Sequence, residues 1–151
     1  MKTIEFYRAA DQYGEFSNFA PYPIYLDGKH WPTSEPYFQA QKFAGTEHEE
    51  AVRNAKSPMI AARIGRDRAR GLRSDWEQVK DSVMLRAVRT KFDQHPRLAS
   101  LLLSTGEAPI CEHTSRDSYW GDGGDGTGRN TLGKILMQVR GELRETRQKK
   151  T

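Results

Sequence analysis

The amino-acid sequence predicts an α+β fold: a single helix-rich domain with a few short strands. Its 151 residues suit one domain with a sizeable core. Apolar residues recur at helical spacing over most of the chain after residue 33, whereas segments typical of strands are short and few. No repeat, low-complexity tract or linker interrupts the chain. We therefore expect one domain over residues 1–151, with a basic tail from about residue 145.

The first 32 residues are predicted to be extended and looped. Strands are predicted at residues 3–7 and 23–26, and the pair Asp27 and Gly28 is typical of a turn. The segment between the two strands is rich in aromatic residues, glycine and proline, which makes it too apolar for a solvated linker. We expect an ordered loop that packs against the core.

Helices are predicted from residue 33 onward, each from its capping residues. Thr33 or Ser34 can cap the first helix, and Pro36 fits its first turn because amides there have no partner within the helix. Thr46 and Ser74 each precede a glutamate by three residues, which is the spacing of a capping box. Later helices are predicted at residues 46–55, 57–65, 74–92, 96–104 and from about 130, with a short buried strand at 110–112.

The composition favours a protein of a reducing compartment that meets anions. Cys111 is the one cysteine, so no disulfide can form within a monomer, and no apolar run approaches the roughly 20 residues that span a bilayer. The N-terminus lacks the apolar core of a signal peptide. We expect a cytoplasmic protein with no membrane partner. A net charge of +4 favours phosphates or nucleic acid as partners, although solvated helix faces and a frayed tail also explain it.

The segment at residues 33–44, TSEPYFQAQKFA, is apolar nearly all round yet carries a narrow polar stripe. At 100° per residue, Glu35, Gln39 and Lys42 lie within about 60° of one another, and Phe38 and Phe43 flank them. A surface helix shows a wide polar face, so we expect this helix to be buried. Glu35 and Lys42 are about 10 Å apart along the axis. They are too far apart for a direct ion pair and could bracket a ligand, with Gln39 bridging to either.

A lysine between apolar walls is a candidate nucleophile. Burial disfavours its ammonium form, and the neutral amine can attack carbon or form a Schiff base. In the alternative interpretation, Lys42 extends its charge to solvent and Glu35 interacts with the helix dipole.

The segment at residues 117–133, DSYWGDGGDGTGRNTLG, contains six glycines and leads into an amphipathic helix. Glycines let backbone amides approach a ligand, and a helix N-terminus favours anions, which suggests a phosphate site. The motif fits neither a Walker loop nor a Rossmann fingerprint, and Asp122 and Asp125 lack EF-hand spacing. The alternative is a flexible loop with a helix cap at Asn130. Trp120 argues against a flexible loop, because so large a ring is usually placed to pack or stack.

No metal site and no cofactor is predicted. The histidines lack the spacing of metal ligands, Cys111 has no cysteine nearby, and neither a nucleophile elbow nor a papain-like motif is present. The four histidines are His30, His48, His95 and His113.

Three long segments carry a family resemblance: YGEFSNFAPYPIYLDGKHWPTSEPYFQAQKF, SPMIAARIGRDR and YWGDGGDGTGRNTLGKILMQVR. They are similar to the NADAR family, and the resemblance runs from about Phe6 to Arg144. It implies an N-glycosidase. Some members of the family hydrolyse the N-glycosidic bond of riboflavin-pathway intermediates, which are phosphoribosylamino pyrimidines. Others remove ADP-ribose from guanine in nucleic acid.

The resemblance also implies roles for individual residues. The family's catalytic lysine falls on Lys42 and its glutamate on Glu35, and we assign a third catalytic position to Asp122. The family usually has histidine where this chain has Pro36, which removes an imidazole and a backbone N–H together. The candidate substrate-binding residues are Ser17, Asn18, Phe19, Gln39, Arg66, Trp120, Gly121 and Asn130.

We predict hydrolysis of a ribosyl C1–N bond without metal, by one of two mechanisms. Lys42 attacks C1 or captures the opened sugar, while Glu35 or Asp122 moves protons or steadies positive charge. Alternatively, two carboxylates act with a bound water and Lys42 only orients hydroxyls. The alternative function is a non-catalytic module that binds ADP-ribose or NAD, which Pro36 favours. A third possibility is a nucleic-acid-binding protein that uses the basic tail, and its binding would depend steeply on salt.

Overall fold

A computed structural model describes residues 1–150 and has helices and short strands, as the predicted α+β class requires. The strands are β1 (Ile4–Phe6), β2 (Ile24–Leu26), β3 (Lys29–Trp31) and β4 (Ile110–Glu112). The helices are α1 (Ser34–Ala40), α2 (Glu47–Arg53), α3 (Pro58–Gly65), α4 (Trp76–Gln94), α5 (Pro96–Ser104) and α6 (Thr131–Lys150). None of the helices in the described residues combines the length and the apolar character needed to cross a membrane.

The chain forms two compact units. Unit 1 consists of Met1–Ala20 together with the chain from Phe92 onward, and unit 2 consists of Pro21–Lys91. Within unit 1, β1 and β4 pair in parallel with Glu5 opposite Cys111, and α6 packs against β4 and α5. The loop after β1 is ordered, as predicted, because Phe16 is buried with its ring 5.9 Å from that of Phe6. Other buried apolar residues of unit 1 are Phe92, Leu98, Leu102, Ile110, Leu132, Leu136 and Val139.

Unit 2 contains a β-hairpin and the helices α1, α2 and α3. Asp27 and Gly28 form its turn with φ of 55° and 77°, the left-handed conformation that two-residue hairpin turns require. The predicted turn is therefore present, but β3, the strand that follows it, was missed. The core cluster of unit 2 contains Ile24, Trp31, Tyr37, Ala40, Phe43, Val52, Ala61 and Ala87.

Three predicted helix boundaries need correction. The helix expected at residues 33–44 ends at Ala40 and continues as a 3₁₀ turn, Gln41–Phe43, and such tighter turns are common at helix ends. The second helix ends at Arg53, where the Asn54 amide bonds back to the last turn. Helix α4 begins at Trp76, so Asp75 rather than Ser74 precedes its first residue.

The orientation of helix α1 about its own axis is fixed by its contacts. Its seven residues are all buried, as the sequence predicted. Thr33 caps it by accepting a 3.2 Å hydrogen bond from the Glu35 amide. Tyr37, on the side opposite the polar stripe, donates a 2.8 Å hydrogen bond to Asp27, which also pairs with Arg86. The orientation of the stripe is therefore fixed by contacts on the other side of the helix.

Candidate active site

Lys42 lies in the 3₁₀ turn after α1, with its side chain buried among aromatic rings. Its Nζ is 5.9 Å from the centroid of the Phe38 ring and 5.7 Å from that of Trp76. The same nitrogen donates a 3.2 Å hydrogen bond to the carbonyl oxygen of Gly65. The residue is 8% exposed. Two ring faces and one carbonyl therefore replace much of the water that surrounds an ordinary lysine.

This environment favours the neutral amine. Burial is the main cause that lowers the pKa of Lys42 to about 8. The charge of Glu35 opposes this shift, and the positive charges of Arg68 and Arg66 add to it. A larger fraction of Lys42 is therefore uncharged near neutral pH than of an exposed lysine. The structure thus supports the candidate nucleophile rather than a lysine that extends into solvent.

Glu35 and Gln39 are one helical turn apart on α1 and are hydrogen-bonded. Gln39 Nε2 donates to Glu35 Oε1 at 2.8 Å, so the predicted bridging contact is present on the Glu35 side. Gln39 is 5% exposed, and its Oε1 is buried without a hydrogen-bond partner. The opposite orientation of the amide would turn Oε1 toward the Glu35 carboxylate, which is unfavourable because an ionised carboxylate only accepts hydrogen bonds.

Two exposed arginines lie beyond the end of α3. Arg66 is the residue after the helix, and its amide bonds back to Ala62. Arg68 opens the next 3₁₀ turn. Both cations act on the pKa of Lys42 and are therefore close enough to attract an anion to the same part of unit 2.

The glycine-rich segment of unit 1 is ordered around Asp122. Oδ1 of Asp122 accepts from the amides of Thr114 at 3.0 Å and Gly124 at 2.8 Å, and its Oδ2 lies 2.7 Å from His113 Nδ1. Burial would raise the pKa of Asp122, but donation from His113, these two amides and Cys111 lowers it to about 2. Asp122 is therefore a carboxylate at neutral pH with its oxygens occupied. This arrangement supports an electrostatic or organising role and disfavours proton transfer.

Gly121 and Asn130 make contacts that stabilise unit 1. A Cβ on Gly121 would lie 2.8 Å from the carbonyl oxygen of Glu112, so a side chain does not fit. The Asn130 carboxamide accepts from the Glu112 amide at 3.0 Å and donates to the Ile110 carbonyl at 2.9 Å, which extends the edge of β4. Binding of substrate by these two residues stays a prediction.

The other residues predicted in unit 1 lie in two loops. Ser17 and Asn18 are buried, and Ser17 Oγ accepts a 3.1 Å hydrogen bond from the amide of half-buried Phe19. Trp120 is half-buried and packs edge-on against Tyr119, with centroids 4.9 Å apart. Their roles in binding and stacking also stay predictions, as does that of Arg66 in unit 2.

The structure brings together a cluster that linear spacing did not indicate. Potential ligand atoms of Glu5, His113 and Asp122 all lie within 4.8 Å of one another. Parallel pairing of β1 with β4 places Glu5 opposite Cys111, two residues before His113. The hydrogen bond to Asp122 raises the pKa of His113. Mutual hydrogen bonding and charge attraction thus explain this cluster without a metal ion.

Two residues next to Lys42 were also missed. Gly65 is the last residue of α3 and Trp76 the first residue of α4, and neither was predicted as a site residue. A local pattern contains no signal that either one faces Lys42, because both reach it from other helices.

A buried amine near a carboxylate on a fixed helix is typical of an enzyme active site, and the chain belongs to the NADAR family. The family's NADAR domain model matches residues 5–144. The chain is 56% identical to N-glycosidase YbiA of Escherichia coli strain K12 over 140 residues, which cover 93% of this chain and 88% of that protein. These findings confirm the predicted family and the predicted class of enzyme, a glycosidase.

Two further comparisons extend this result. An NMR structure of E. coli YbiA matches with a TM-score of 0.89 and 54% identity, covering 96% of this chain and 86% of that one, which confirms the predicted fold class. A riboflavin biosynthesis protein of Vibrio vulnificus is 45% identical over 142 residues, which cover 94% of this chain and 39% of that protein.

Proposed function

We propose that this chain hydrolyses the N-glycosidic bond between C1 of a ribose and a nitrogen of its base. The observation that carries the proposal is the buried amine of Lys42, which lies against two packed aromatic rings and has a pKa of about 8. The names of the similar proteins, an N-glycosidase and a riboflavin biosynthesis protein, support the same reaction. We further propose that residues 1–151 act as one NADAR domain, because the family match is continuous.

The reaction begins with the neutral amine of Lys42. Its lone pair forms a bond to C1 while the C1–N bond to the base breaks, and the electron pair of that bond goes to the base nitrogen. Glu35, the acidic group on the same stripe, takes the proton that the attacking amine loses and passes it to the leaving nitrogen. The nitrogen lone pair then opens the ring: the C1–O bond breaks, the ring oxygen takes its electron pair and a proton, and C1 and Nζ form a Schiff base. Water adds at C1 of the Schiff base and the C1–Nζ bond breaks, which releases the sugar and regenerates the amine. No cofactor is needed, because the net reaction consumes only water.

The water mechanism uses the same residues differently. Glu35 would then activate a water molecule, and Lys42 would orient a sugar hydroxyl by donating to it. The lowered pKa of Lys42 favours the covalent mechanism, since a lysine that only donates hydrogen bonds gains nothing from losing its proton. Asp122 is proposed to organise the glycine-rich segment as a permanent anion.

The substrate class is a ribosyl compound that carries phosphate. Arg66 and Arg68 are exposed cations near Lys42, which suits a sugar phosphate or a diphosphate. Phosphoribosylamino pyrimidines are the first candidates, because one similar protein is named for riboflavin biosynthesis. ADP-ribosylated guanine in nucleic acid has the same ribose, phosphate and N-linked base and is the second candidate.

Turnover by purified protein tests this proposal. Wild-type protein, Lys42→Ala and the control Lys56→Ala, an exposed lysine of unit 2, are each incubated with a phosphoribosylamino pyrimidine and with an ADP-ribosylated guanine oligonucleotide. We expect release of the free base by the wild type and the control, and a loss of at least about a thousandfold in Lys42→Ala. Wild-type rates in a folded Lys42→Ala protein would refute the role of Lys42. Binding without turnover in the wild type would instead support an ADP-ribose-binding module.

Borohydride distinguishes the two mechanisms. Reduction during turnover should fix the sugar to Lys42 of the wild type, and a peptide map should locate the added mass. An active enzyme that never yields this adduct would favour the water mechanism.

A further inference from the structure

The backbone carbonyl of Gly65, at the end of α3, is an acceptor for a group outside the helix. The last carbonyl groups of a helix have no partner within it, and they lie at the negative end of the helix dipole. The carbonyl oxygen of Gly65 is in this position and accepts the 3.2 Å hydrogen bond from Lys42 Nζ. The amine is therefore directed by a backbone group of another helix.

The missing side chain of Gly65 also admits Gln39. A Cβ built on Gly65 would overlap Gln39 Oε1, and it would lie 2.7 Å from Gln39 Cδ and 2.9 Å from Gln39 Cβ. Gly65 does not have a positive φ, so its conformation alone does not require glycine. The requirement comes from space. Rotation of the carboxamide could relieve the contact with Oε1, and a different rotamer the contact with Cδ, but Gln39 Cβ is fixed by the backbone of α1.

We propose that Gly65 is a positioning residue that sets the geometry of the Lys42 amine relative to the Glu35 carboxylate. Its bare Cα rests against Gln39, which holds Glu35 by a 2.8 Å hydrogen bond, and its carbonyl holds Lys42. The two reactive groups, seven residues apart, are thus linked through one glycine of a neighbouring helix. The catalytic importance of this link rests on the proposed glycosidase function, but the geometry can be tested without substrate.

The prediction concerns the pKa of Lys42 when α3 is pushed away from α1. The carbonyl of Gly65 stabilises the ammonium more than the amine, so a longer contact lowers the pKa. The charged groups that act on Lys42 are Glu35 and Glu77, which raise its pKa, and Arg66 and Arg68, which lower it. None of these four residues is substituted in the variants below.

The first variant is Gly65→Ala, and its matched control is Gly141→Ala. A Cβ on Gly141, within α6, would meet no atom within 4 Å, so the control makes the same substitution in a helix without overlap. The pKa is read from an NMR titration of the Lys42 Cε resonance, assigned by its loss in Lys42→Arg. We expect Gly65→Ala to lower the pKa by about half a unit or more, and Gly141→Ala to leave it unchanged. An unchanged pKa in folded Gly65→Ala would overturn the proposal.

The second experiment repeats the Gly65→Ala substitution in a protein without the Gln39 side chain. Gln39→Gly removes the three Gln39 atoms that would lie less than 3.0 Å from the new Cβ, so Gly65→Ala should then no longer change the pKa of Lys42. The same shift in the Gln39→Gly background would show that the overlap lies elsewhere. If Gly65→Ala alone does not fold, the double variant should fold. A double variant that also fails to fold would contradict the proposal.

Kinetics connects the geometry to the reaction. With an active wild type, Gly65→Ala should lower kcat about tenfold and change KM less than about twofold, because the amine is displaced and the exposed arginines are not. A change confined to KM would mean that Gly65 shapes binding instead. If the wild type shows no turnover, the proposed function fails while the titration still decides the role of Gly65.

Discussion

Lys42 Nζ lies 5.7 Å from the ring centroid of Trp76, the first residue of α4, and 5.9 Å from that of Phe38, and these two rings pack against each other with centroids 5.1 Å apart. Ring faces attract a cation, but they do not replace the hydration that an ammonium loses on burial. Loss of hydration is the largest cause of the lowered pKa of about 8 and exceeds the opposing charge of Glu35. A buried lysine therefore costs stability in order to provide a neutral amine.

Replacement of Lys42 by methionine should stabilise the protein and abolish its activity. Methionine places an apolar side chain against the rings of Phe38 and Trp76, and no charge is buried. The pKa of Lys42 is lower in the folded protein than in the unfolded chain. Burial of its ammonium therefore has its full cost in free energy of unfolding below about pH 8. This cost falls as the pH rises toward 10.5. We expect Lys42→Met to raise the free energy of unfolding by about 1–2 kcal/mol at pH 7 and by much less at pH 10.

Urea denaturation at the two pH values measures this difference, and Lys56→Met serves as the exposed control. Destabilisation by Lys42→Met at pH 7 would show that the contacts of the ammonium outweigh its burial.

The rate of base release should rise with pH through the pKa of Lys42. In the covalent mechanism only the neutral amine attacks, so kcat/KM increases up to about pH 8 and then levels off. Arg66 and Arg68 both lower this pKa, so Arg68→Ala should move the rise to higher pH. A profile measured at constant ionic strength tests both statements. An Arg68→Ala profile that rises at lower pH than the wild type would contradict the electrostatic explanation.

Local sequence signals were sufficient where a helix is defined by its own ends. Ser57 caps α3 by accepting from the Ile60 amide at 3.1 Å, and Pro96 begins α5 where it was predicted. Strand β3 was missed because a three-residue strand is defined by its partner, and here the Trp31–Ile24 pairing establishes it. Its sequence, KHW, has no strand pattern of its own.

In the candidate site, too, some features follow from local sequence and others depend on distant segments. The pairing of Glu35 with Gln39 follows from the period of α1 and could be predicted from sequence, whereas Lys42 lies in the 3₁₀ turn beyond the end of that helix. Gly65 and Trp76 come from α3 and α4, and their approach to Lys42 depends on packing that no local pattern contains. The cluster around His113 likewise depends on parallel strand pairing between distant segments.

Chelators should leave the rate unchanged. Glu5, His113 and Asp122 are a possible ligand set, but a cation there would have to displace the His113 contact and compete with the donors on Asp122. Activity is measured after dialysis against EDTA and again with added zinc or magnesium. Loss of turnover with EDTA and its return with one metal would show that the cluster, or another site, holds an ion.

Pro36→His should leave the fold intact and modestly improve binding of substrate. Pro36 is the third residue of α1, where it has no amide to donate, and the Thr33 hydroxyl accepts from the second residue instead. Histidine restores an N–H that needs no acceptor within the helix. Because Pro36 is buried, an imidazole there needs a polar partner, and this requirement limits any gain in stability. We expect the free energy of unfolding to change by no more than about 1 kcal/mol.

The effect on catalysis follows from the position of residue 36. It lies 100° from Glu35 around the helix, at the edge of the polar stripe, so an imidazole there can contact a substrate without replacing Lys42. We expect KM to fall by about two- to threefold with kcat nearly constant. Steady-state kinetics of the wild type, Pro36→His and Pro36→Ala separate the imidazole from the loss of the ring, because Pro36→Ala restores the amide alone. A wild type without turnover that becomes active in Pro36→His would mean that proline at this position has converted the chain into a binding module.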